Sequence, residues 1–304
     1  MRHPKISVIL INYNNTPLTL ACVTSLEANH YPNLKIHIVD NGSSLTHQQQ
    51  LRSIKRRFHG LIKIASLGYN AGFTKANNVG MKQTLKENTD YLWILNNDTE
   101  VAKNAISTFL KTFTQFNLDR ENSIASSIIT MYGTGKIWCN GMYDLPMFNF
   151  PKSRHKQREA ASISKTALHI DRVEYSVGCS MFFHKDFVKK HGMMDERYFI
   201  YYDDMDFSYK KKNYFIQKPL VYHKVSATSG IMGSDIFTPF QAYLHGKNAI
   251  LFYFYKKRIP FYEKLIFLGL TVWVIIAMYV RSWNSLAAYC KGIRDGLVSK
   301  NKLL

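Results

Sequence analysis

Short apolar runs that break off at polar side chains alternate with stretches of helical spacing through the N-terminal third of the chain. Ile6–Ile11 stops at Asn12, and Lys35–Val39 stops at the turn Asp40-Asn-Gly-Ser-Ser44. Leu61–Ala65 precedes a glycine-bearing loop, Gly68–Gly80, and Tyr91–Leu95 stops at Asn96, Asn97 and Asp98. Ile6–Ile11 and Tyr91–Leu95 have the length and apolar continuity of buried strands, and the other two runs read as short strands. Between them, Thr16-Pro17 reads as an N-cap followed by proline at the first helical position, opening a helix to about Asn29. Helical spacing continues to Phe58, and the Gly68–Gly80 loop leads into another helix. This alternation predicts right-handed βαβ units and an α/β fold with a parallel sheet flanked by helices. Polar groups at successive carboxyl ends of such strands converge on one crevice.

The pattern is less regular further on. Phe113–Ile163 carries glycines, prolines and a basic patch from Lys152 to Arg158, and reads as strands with long loops. Val173–Phe183 is apolar and strand-like and contains Gly178-Cys179-Ser180. Lys218–Tyr222 reads as a short strand ending in His223, and the small, polar stretch Ser226–Ser234 as a flexible lid. Leu265–Val280 is uncharged for sixteen residues. As a helix this is about 24 Å long at ~1.5 Å per residue, short of the ~30 Å of a hydrocarbon core. Arg281–Leu297 places Trp283, Leu286, Ala287, Cys290, Ile293 and Leu297 on one helical face, with basic residues elsewhere. That is the pattern of an amphipathic helix in a membrane interface, with a helix closing the domain's own core as the alternative. The expected division is one domain over 1–258 and membrane-associating helices over 259–304.

Charge sharpens the picture of the tail. The chain has 304 residues and a formal charge of +19. From Ser208 onward fifteen Lys and Arg face only three acids, Asp235, Glu263 and Asp295. A basic tail next to Trp273, Trp283 and Lys256-Lys-Arg258 suits an anionic membrane surface better than nucleic acid. Four widely spaced cysteines without a CxxC pair argue against a zinc site or a disulfide framework. The first apolar run is too short for a signal peptide. Acids instead concentrate in one place: Asp195, Glu196, Asp203, Asp204 and Asp206 fall within twelve residues. A nucleic-acid-binding surface would repel nothing so strongly as its own ligand there.

Several strand ends carry candidate chemistry. Asp40 can accept from the N–H of a base, or simply form an Asx turn. Asn70, Gly72 and Asn77 bracket a loop where backbone can approach a ribose or phosphate, without the spacing of a Rossmann or P-loop motif. Asp98 can hold a divalent cation against a phosphate, and His223 can complete the shell, although a lone histidine is also common as a structural residue. Among Asp203, Asp204 and Asp206, mutual repulsion raises some pKa values unless cations or helix N–H groups compensate. One of them can then act as a general base, and Asp206 is suited to cap a helix opening at Phe207.

Seven segments in this order resemble the inverting family-2 glycosyltransferases of GT-A fold, especially the bacterial rhamnosyltransferase-like branch that builds O-antigen and capsular glycans. They are Ser7-Val-Ile-Leu-Ile-Asn-Tyr-Asn14, Val39-Asp-Asn-Gly-Ser-Ser44, Asn70-Ala-Gly-Phe-Thr-Lys-Ala-Asn-Asn-Val-Gly80 and Ile94-Leu-Asn-Asn-Asp98. Gly178-Cys-Ser-Met-Phe-Phe183, Met194-Asp-Glu-Arg-Tyr-Phe-Ile-Tyr-Tyr-Asp-Asp-Met-Asp-Phe207 and Tyr289-Cys-Lys-Gly-Ile-Arg-Asp-Gly296 complete the set. The resemblance implies a mixed, mostly parallel sheet and a nucleotide-sugar site at Asn12, Asn14, Asp40, Asn70, Gly72, Asn77, Asn96, Asn97 and Asp98. It implies Mn2+ or Mg2+ held by Asp98 with His223, and Asp204, or its neighbour Asp203, as the base that deprotonates the acceptor hydroxyl. Two positions depart from the family pattern: Asn96 stands where the first acid of the DxD segment is expected, and Asp203 where a glutamate is expected.

The expected reaction is a single in-line displacement from dTDP-rhamnose or a UDP-sugar onto a glycan or an undecaprenyl-diphosphate-linked acceptor. The expected place is the cytoplasmic face of the bacterial membrane, with the protein peripheral or monotopic. A catalytically inactive homologue acting as a scaffold and a basic polyanion-binding protein are the alternatives. A processive synthase would need several spans and a Gln-x-x-Arg-Trp motif, which this sequence does not contain.

Overall fold

The structure is a computed structural model that describes residues 3–144, 151–153, 157–163, 167–224, 237–267, 269 and 282–299. The apolar runs form one half of a single sheet, with Ile62–Ser66 at its edge. β1 (Ile6–Asn12), β2 (Leu34–Asp40), β3 (Ile62–Ser66) and β4 (Tyr91–Asn96) lie parallel in the order β4-β1-β2-β3. They are connected by α1 (Thr16–Glu27), α2 (Leu45–Arg57) and α3 (Phe73–Lys86). The period of two sends alternate side chains into two cores. Val8, Leu10 and Trp93 join one cluster, and Ile9, Leu92 and Ile94 join the other. Trp93 is wholly buried, and its indole N–H donates to Ser180 Oγ at 3.0 Å, which satisfies its one polar atom. Asn15, one residue before the expected cap, precedes α1, and Thr16 is already helical.

Beyond β4 come β5 (Thr99–Val101), α4 (Ala105–Gln115), β6 (Ser123–Met131), β7 (Ile137–Cys139), β8 (Met142–Asp144) and β9 (Pro151–Ser153). There follow α5 (Ala160–Ile163), β10 (Ile170–Val173), β11 (Ser180–His184), α6 (Lys185–His191), α7 (Asp203–Ser208) and β12 (Lys212–His223). The large sheet runs β10-β12-β6-β11-β4-β1-β2-β3, with β5 on β12 and β7 on β6. β11 is antiparallel to both its neighbours, whereas β12 is parallel to β6. The sheet is therefore mixed: the N-terminal strands form a parallel block, and β6 with β12 forms a further parallel pair.

Two expected strands differ in extent, each for a local reason. Val173–Phe183 is not one strand, because residues 174–179 leave the sheet between β10 and β11. There the Gly178 N–H donates to the Asp204 carboxylate at 2.9 Å, and Ser176 Oγ donates to Asn213 Oδ1 at 3.0 Å. Lys218–Tyr222 is only the end of β12, a twelve-residue strand whose register shifts around Pro219. Polar residues disguise its first half. Asn213 and Gln217 are buried yet satisfied, Asn213 donating to Ser208 O and Gln217 exchanging amide bonds with Asn140.

At the C-terminal end, α8 (Pro239–Ile250) opens with a Thr238–Gln241 capping box and continues as a π-helical turn, Leu251–Lys256. α9 (Trp283–Val298) lies on α8 at backbone distance. A Cβ on Gly292 would stand 2.2 Å from the Tyr243 carbonyl oxygen, and one on Gly246 would stand 2.6 Å from that of Tyr289. The apolar face expected on α9 divides accordingly. Leu286 and Ile293 lean into the protein, whereas Trp283, Ala287, Cys290 and Leu297 are exposed. Among the described residues, no helix is long and apolar enough to cross a membrane. The expected lid Ser226–Ser234, Trp273, Arg281 and most of Leu265–Val280 lie outside the described residues, as does the middle of the Lys152–Arg158 patch.

Candidate active site

The carboxyl ends of β1, β2 and β4 are joined by buried side-chain hydrogen bonds. Asn97 Nδ2 donates to Thr19 Oγ1 at 2.9 Å, and Thr19 Oγ1 donates to Asn12 Oδ1 at 2.7 Å. Asn12 Nδ2 in turn donates to Ser43 Oγ at 3.0 Å and lies 3.5 Å from Asp40 Oδ1. Asn12 is wholly buried and Asn97 nearly so, so both amides act beneath the crevice, fixing the strand ends that line it. Asp40 is 1% exposed and accepts from the Ser43 N–H (3.3 Å) and from Ser66 Oγ (3.2 Å). Asn14, at positive φ and exposed, accepts from the Ser44 N–H at 2.8 Å and folds the end of β1 onto this turn.

Asn41 joins the turn to the glycine loop, a role that sequence reasoning missed although the residue sits inside Asp-Asn-Gly-Ser. Its Nδ2 donates to Asn70 Oδ1 (2.9 Å), and its Oδ1 accepts from the Ala71 N–H (2.9 Å). Gly72 has φ +85°, and a Cβ there would lie 2.6 Å from the Phe199 carbonyl oxygen. Only glycine permits this approach, which brings the acidic segment's Phe199 against the loop. Asn77 is wholly buried, with Nδ2 donating to Phe73 O at 3.0 Å. Its neighbour Asn78, also unforeseen, grips Met194 through both backbone atoms and Glu196 through its carboxylate (2.9–3.0 Å).

Asp98 and His223 meet through β5. This three-residue strand pairs antiparallel with the end of β12, setting Thr99 opposite His223. His223 Nε2 then lies 3.2 Å from Asp98 Oδ1, and both side chains are largely buried. Among the described residues there is no group of three or more His, Cys, Asp or Glu side chains suited to a metal. A two-residue donor set nevertheless fits a magnesium- or manganese-like ion that takes its remaining ligands from substrate phosphates and water. In an octahedral shell with ligands at ~2.1 Å, adjacent donor atoms lie about 3 Å apart, close to the separation here. Asn96 Oδ1, two residues before Asp98, is buried without a hydrogen-bond partner among the described residues.

The acidic segment sorts into structural and reactive carboxylates. Asp195 is pushed up by burial, but Arg197 outweighs this and holds it below its ordinary range. Asp206 does not cap a helix at Phe207; α7 already begins at Asp203, and Asp206 lies within it. It pairs instead with Lys256 Nζ (2.8 Å) and accepts from Tyr198 OH (3.3 Å). Burial pushes Asp203 well up, with the charge of Asp204 adding to the effect. Burial also raises Asp204, partly offset by the amides of Gly178 and Met205, which donate to its two oxygens at 2.9 and 2.8 Å. Asp204 is partly exposed, whereas Asp203 is 4% exposed. One short segment connects this base candidate to the end of β4: Gly178 donates to Asp204, and Cys179 O accepts from the Asn96 N–H at 3.0 Å.

The model for glycosyl transferase family 2 matches residues 7–159. The chain is 23% identical over 256 residues to the dTDP-rhamnosyl transferase RfbF of Shigella flexneri, covering 81% of this chain and 79% of that protein. It is 29% identical over 149 residues to an uncharacterized glycosyltransferase of Haemophilus influenzae, a match spanning 45% of this chain and only 44% of that relative. Among solved structures, GalNAc-T7 with UDP, GalNAc and Mn2+ matches with a TM-score of 0.61 at 17% identity, over 81% of this chain and 51% of that one. The Pyrobaculum calidifontis mannosyltransferase PcManGT with GDP-Man and Mn2+ matches with a TM-score of 0.56 at 12% identity, over 98% and 76%. These likenesses identify the fold as that of GT-A glycosyltransferases. With the family model covering half its length, the chain belongs to glycosyl transferase family 2.

Proposed function

We propose that the protein is an inverting glycosyltransferase that moves a sugar, rhamnose in the first instance, from a nucleoside-diphosphate donor to a hydroxyl of a glycan or undecaprenyl-diphosphate-linked acceptor. The observation that carries this reading is the junction at Gly178–Cys179, which ties Asp204 to the Asn96–Asp98 segment. Asp40, in its buried turn, is assigned to the base, with the Asn70–Gly72 loop joined to that turn through Asn41. Asp98 and His223 would hold the divalent cation, which when bound would supply positive charge to stabilise the departing diphosphate. Asp204 takes the proton of the acceptor hydroxyl as the new bond to the anomeric carbon forms and the bond to phosphate breaks, its electron pair leaving on the nucleoside diphosphate. The likeness to RfbF favours dTDP-rhamnose, and the UDP and GDP-Man of the structural neighbours favour a nucleotide sugar of some kind.

Thermal melting of the full chain with Mn2+ and a panel of sugar nucleotides tests the donor. A rise confined to dTDP-rhamnose or to a UDP-sugar is expected, because a ligand bound only by the folded state stabilises it. Melting unchanged by every sugar nucleotide in the panel would overturn the reading.

The same reading places the protein against the anionic, cytoplasmic membrane surface where such an acceptor resides. Trp283 is 75% and Phe261 73% exposed, and Tyr262, Leu265, Ile266 and Val298 also face outward. Lys264, Lys291 and Arg294 stand among them. Exposed apolar side chains with interspersed cations suit a phosphatidylglycerol-bearing interface. Sedimentation with phosphatidylglycerol vesicles should exceed that with phosphatidylcholine vesicles, and the pair Phe261→Ser, Trp283→Ser should lower it. Equal sedimentation with both lipids would rule this surface out. Point changes are preferable to truncation here, because removing α9 would uncover α8.

A further inference from the structure

The C-terminal helical layer touches the acidic segment at its most strained point. Tyr201 and Tyr202, the two residues before Asp203, have φ of 72° and 64°. Consecutive left-handed non-glycine residues cost about 1–2 kcal/mol each. Such backbone persists only where its surroundings over-determine it. α7 begins immediately afterwards, and its N-cap, Tyr202, makes no side-chain cap hydrogen bond, so the turn gains no support of that kind.

We propose that Asn248 on α8 is a positioning residue for proton transfer, holding the Tyr201–Tyr202 turn from which Asp204 projects. Asn248 is wholly buried, and its Nδ2 donates at 2.9 Å to Ile200 O and at 3.0 Å to Tyr201 O, the carbonyls that lead into the turn. Both protons of the amide are thereby committed to the backbone of the segment. The same helical layer braces the flanks. His245 stacks on the Tyr201 ring at 4.5 Å, Gln241 Nε2 donates to Tyr201 OH at 3.4 Å, and Lys247 Nζ donates to Arg197 O at 3.3 Å. Lys256 holds Asp206 from the far side. These are side-chain or peripheral contacts; Asn248 grips the backbone at the turn itself. A rotation of the turn would swing Asp204 away from the Gly178 amide that aims it, and a misplacement of that order lowers a rate without altering how the donor binds. The inference rests on Asp204 as the group that receives the acceptor's proton.

The test uses the full chain with Asn248→Leu, which keeps the volume but has no donor, and Asn248→Asp, which keeps the shape but turns a carboxylate toward two carbonyl oxygens. The expected loss in kcat is about 10–100-fold, with the donor KM within about twofold of wild type. Amide hydrogen exchange should quicken in peptides covering 198–208, while peptides from β1 to β4 exchange as in wild type. Wild-type kcat, loss of kcat with unchanged exchange at 198–208, or faster exchange throughout the chain would each overturn the proposal. A parallel Asp204→Asn sample separates the two ideas. Wild-type turnover in that variant removes the base assignment, whereas the grip of Asn248 on the turn is judged by exchange at 198–208 alone.

Discussion

Asp204→Asn is expected to lower sugar transfer by about 10²–10⁴-fold, the range for losing a positioned general base, while donor affinity stays within about twofold. The substitution keeps the side chain's shape and removes its capacity to take a proton. Its fold cost is limited but real: one of the two backbone amides, Gly178 or Met205, loses its acceptor to an N–H₂ group. An unsatisfied amide of this kind costs about 1–3 kcal/mol, so a melting curve must accompany the kinetics. The pH dependence gives a second, independent readout. Burial raises Asp204 above the ordinary carboxylate range, and only the ionised form can accept the proton. Wild-type kcat should therefore fall as pH drops through that raised value, giving an acidic limb above the ~3.9 of a free aspartate. The residual activity of Asp204→Asn should lack this limb. Asp203→Asn should cost less, because Asp203 is more deeply buried than Asp204 and so less accessible to an approaching hydroxyl. Wild-type turnover by Asp204→Asn, or a larger loss from Asp203→Asn, would reverse the assignment.

How much of this site could be read in the sequence depends on whether a residue's partner lies nearby in the chain. β1, β2 and β4 were legible because continuous apolar runs ending in Asn12, Asp40 and Asn96 admit few other readings. The convergence of those ends followed from the topology alone. β5 was not legible: Thr99–Val101 is too short to carry a pattern, yet it is the strand that sets Asp98 beside His223. The first half of β12 was hidden because Asn213 and Gln217 are polar residues buried on specific partners, Ser208 and Asn140 among them, that no periodicity predicts. The acidic segment was legible as an anomaly but not in its division of labour, which depends on Lys256 pairing with Asp206 and Gly178 pairing with Asp204. Asn248 carried no signal. In Lys247-Asn-Ala-Ile250 it reads as an ordinary polar helical residue, and its targets lie more than forty residues away.

Asp98→Ala and His223→Ala should each reduce transfer by about 10²–10³-fold, and the double variant should lose little more than the worse single one. Residues that act as one unit are not additive, and a shared cation would make these two a unit. The competing explanation is a plain buried ion pair between the His223 ring and the Asp98 carboxylate, 3.2 Å apart. It too predicts damage from either change, since an uncompensated buried charge destabilises by about 3–5 kcal/mol. Three results separate the explanations. Chelation should stop the wild-type reaction and added Mn2+ or Mg2+ should restore it, which an ion pair does not predict. Raised Mn2+ should partly rescue His223→Ala, where the carboxylate and the substrate's phosphates still offer oxygen ligands, but not Asp98→Ala, where the last charged protein ligand is gone. Mn2+ together with the nucleoside diphosphate should raise the melting temperature of wild type and leave that of Asp98→Ala unchanged, a readout that needs no turnover. Full activity after exhaustive chelation would leave the pair a structural one, and charge on the diphosphate would then have to be met by other residues at the crevice.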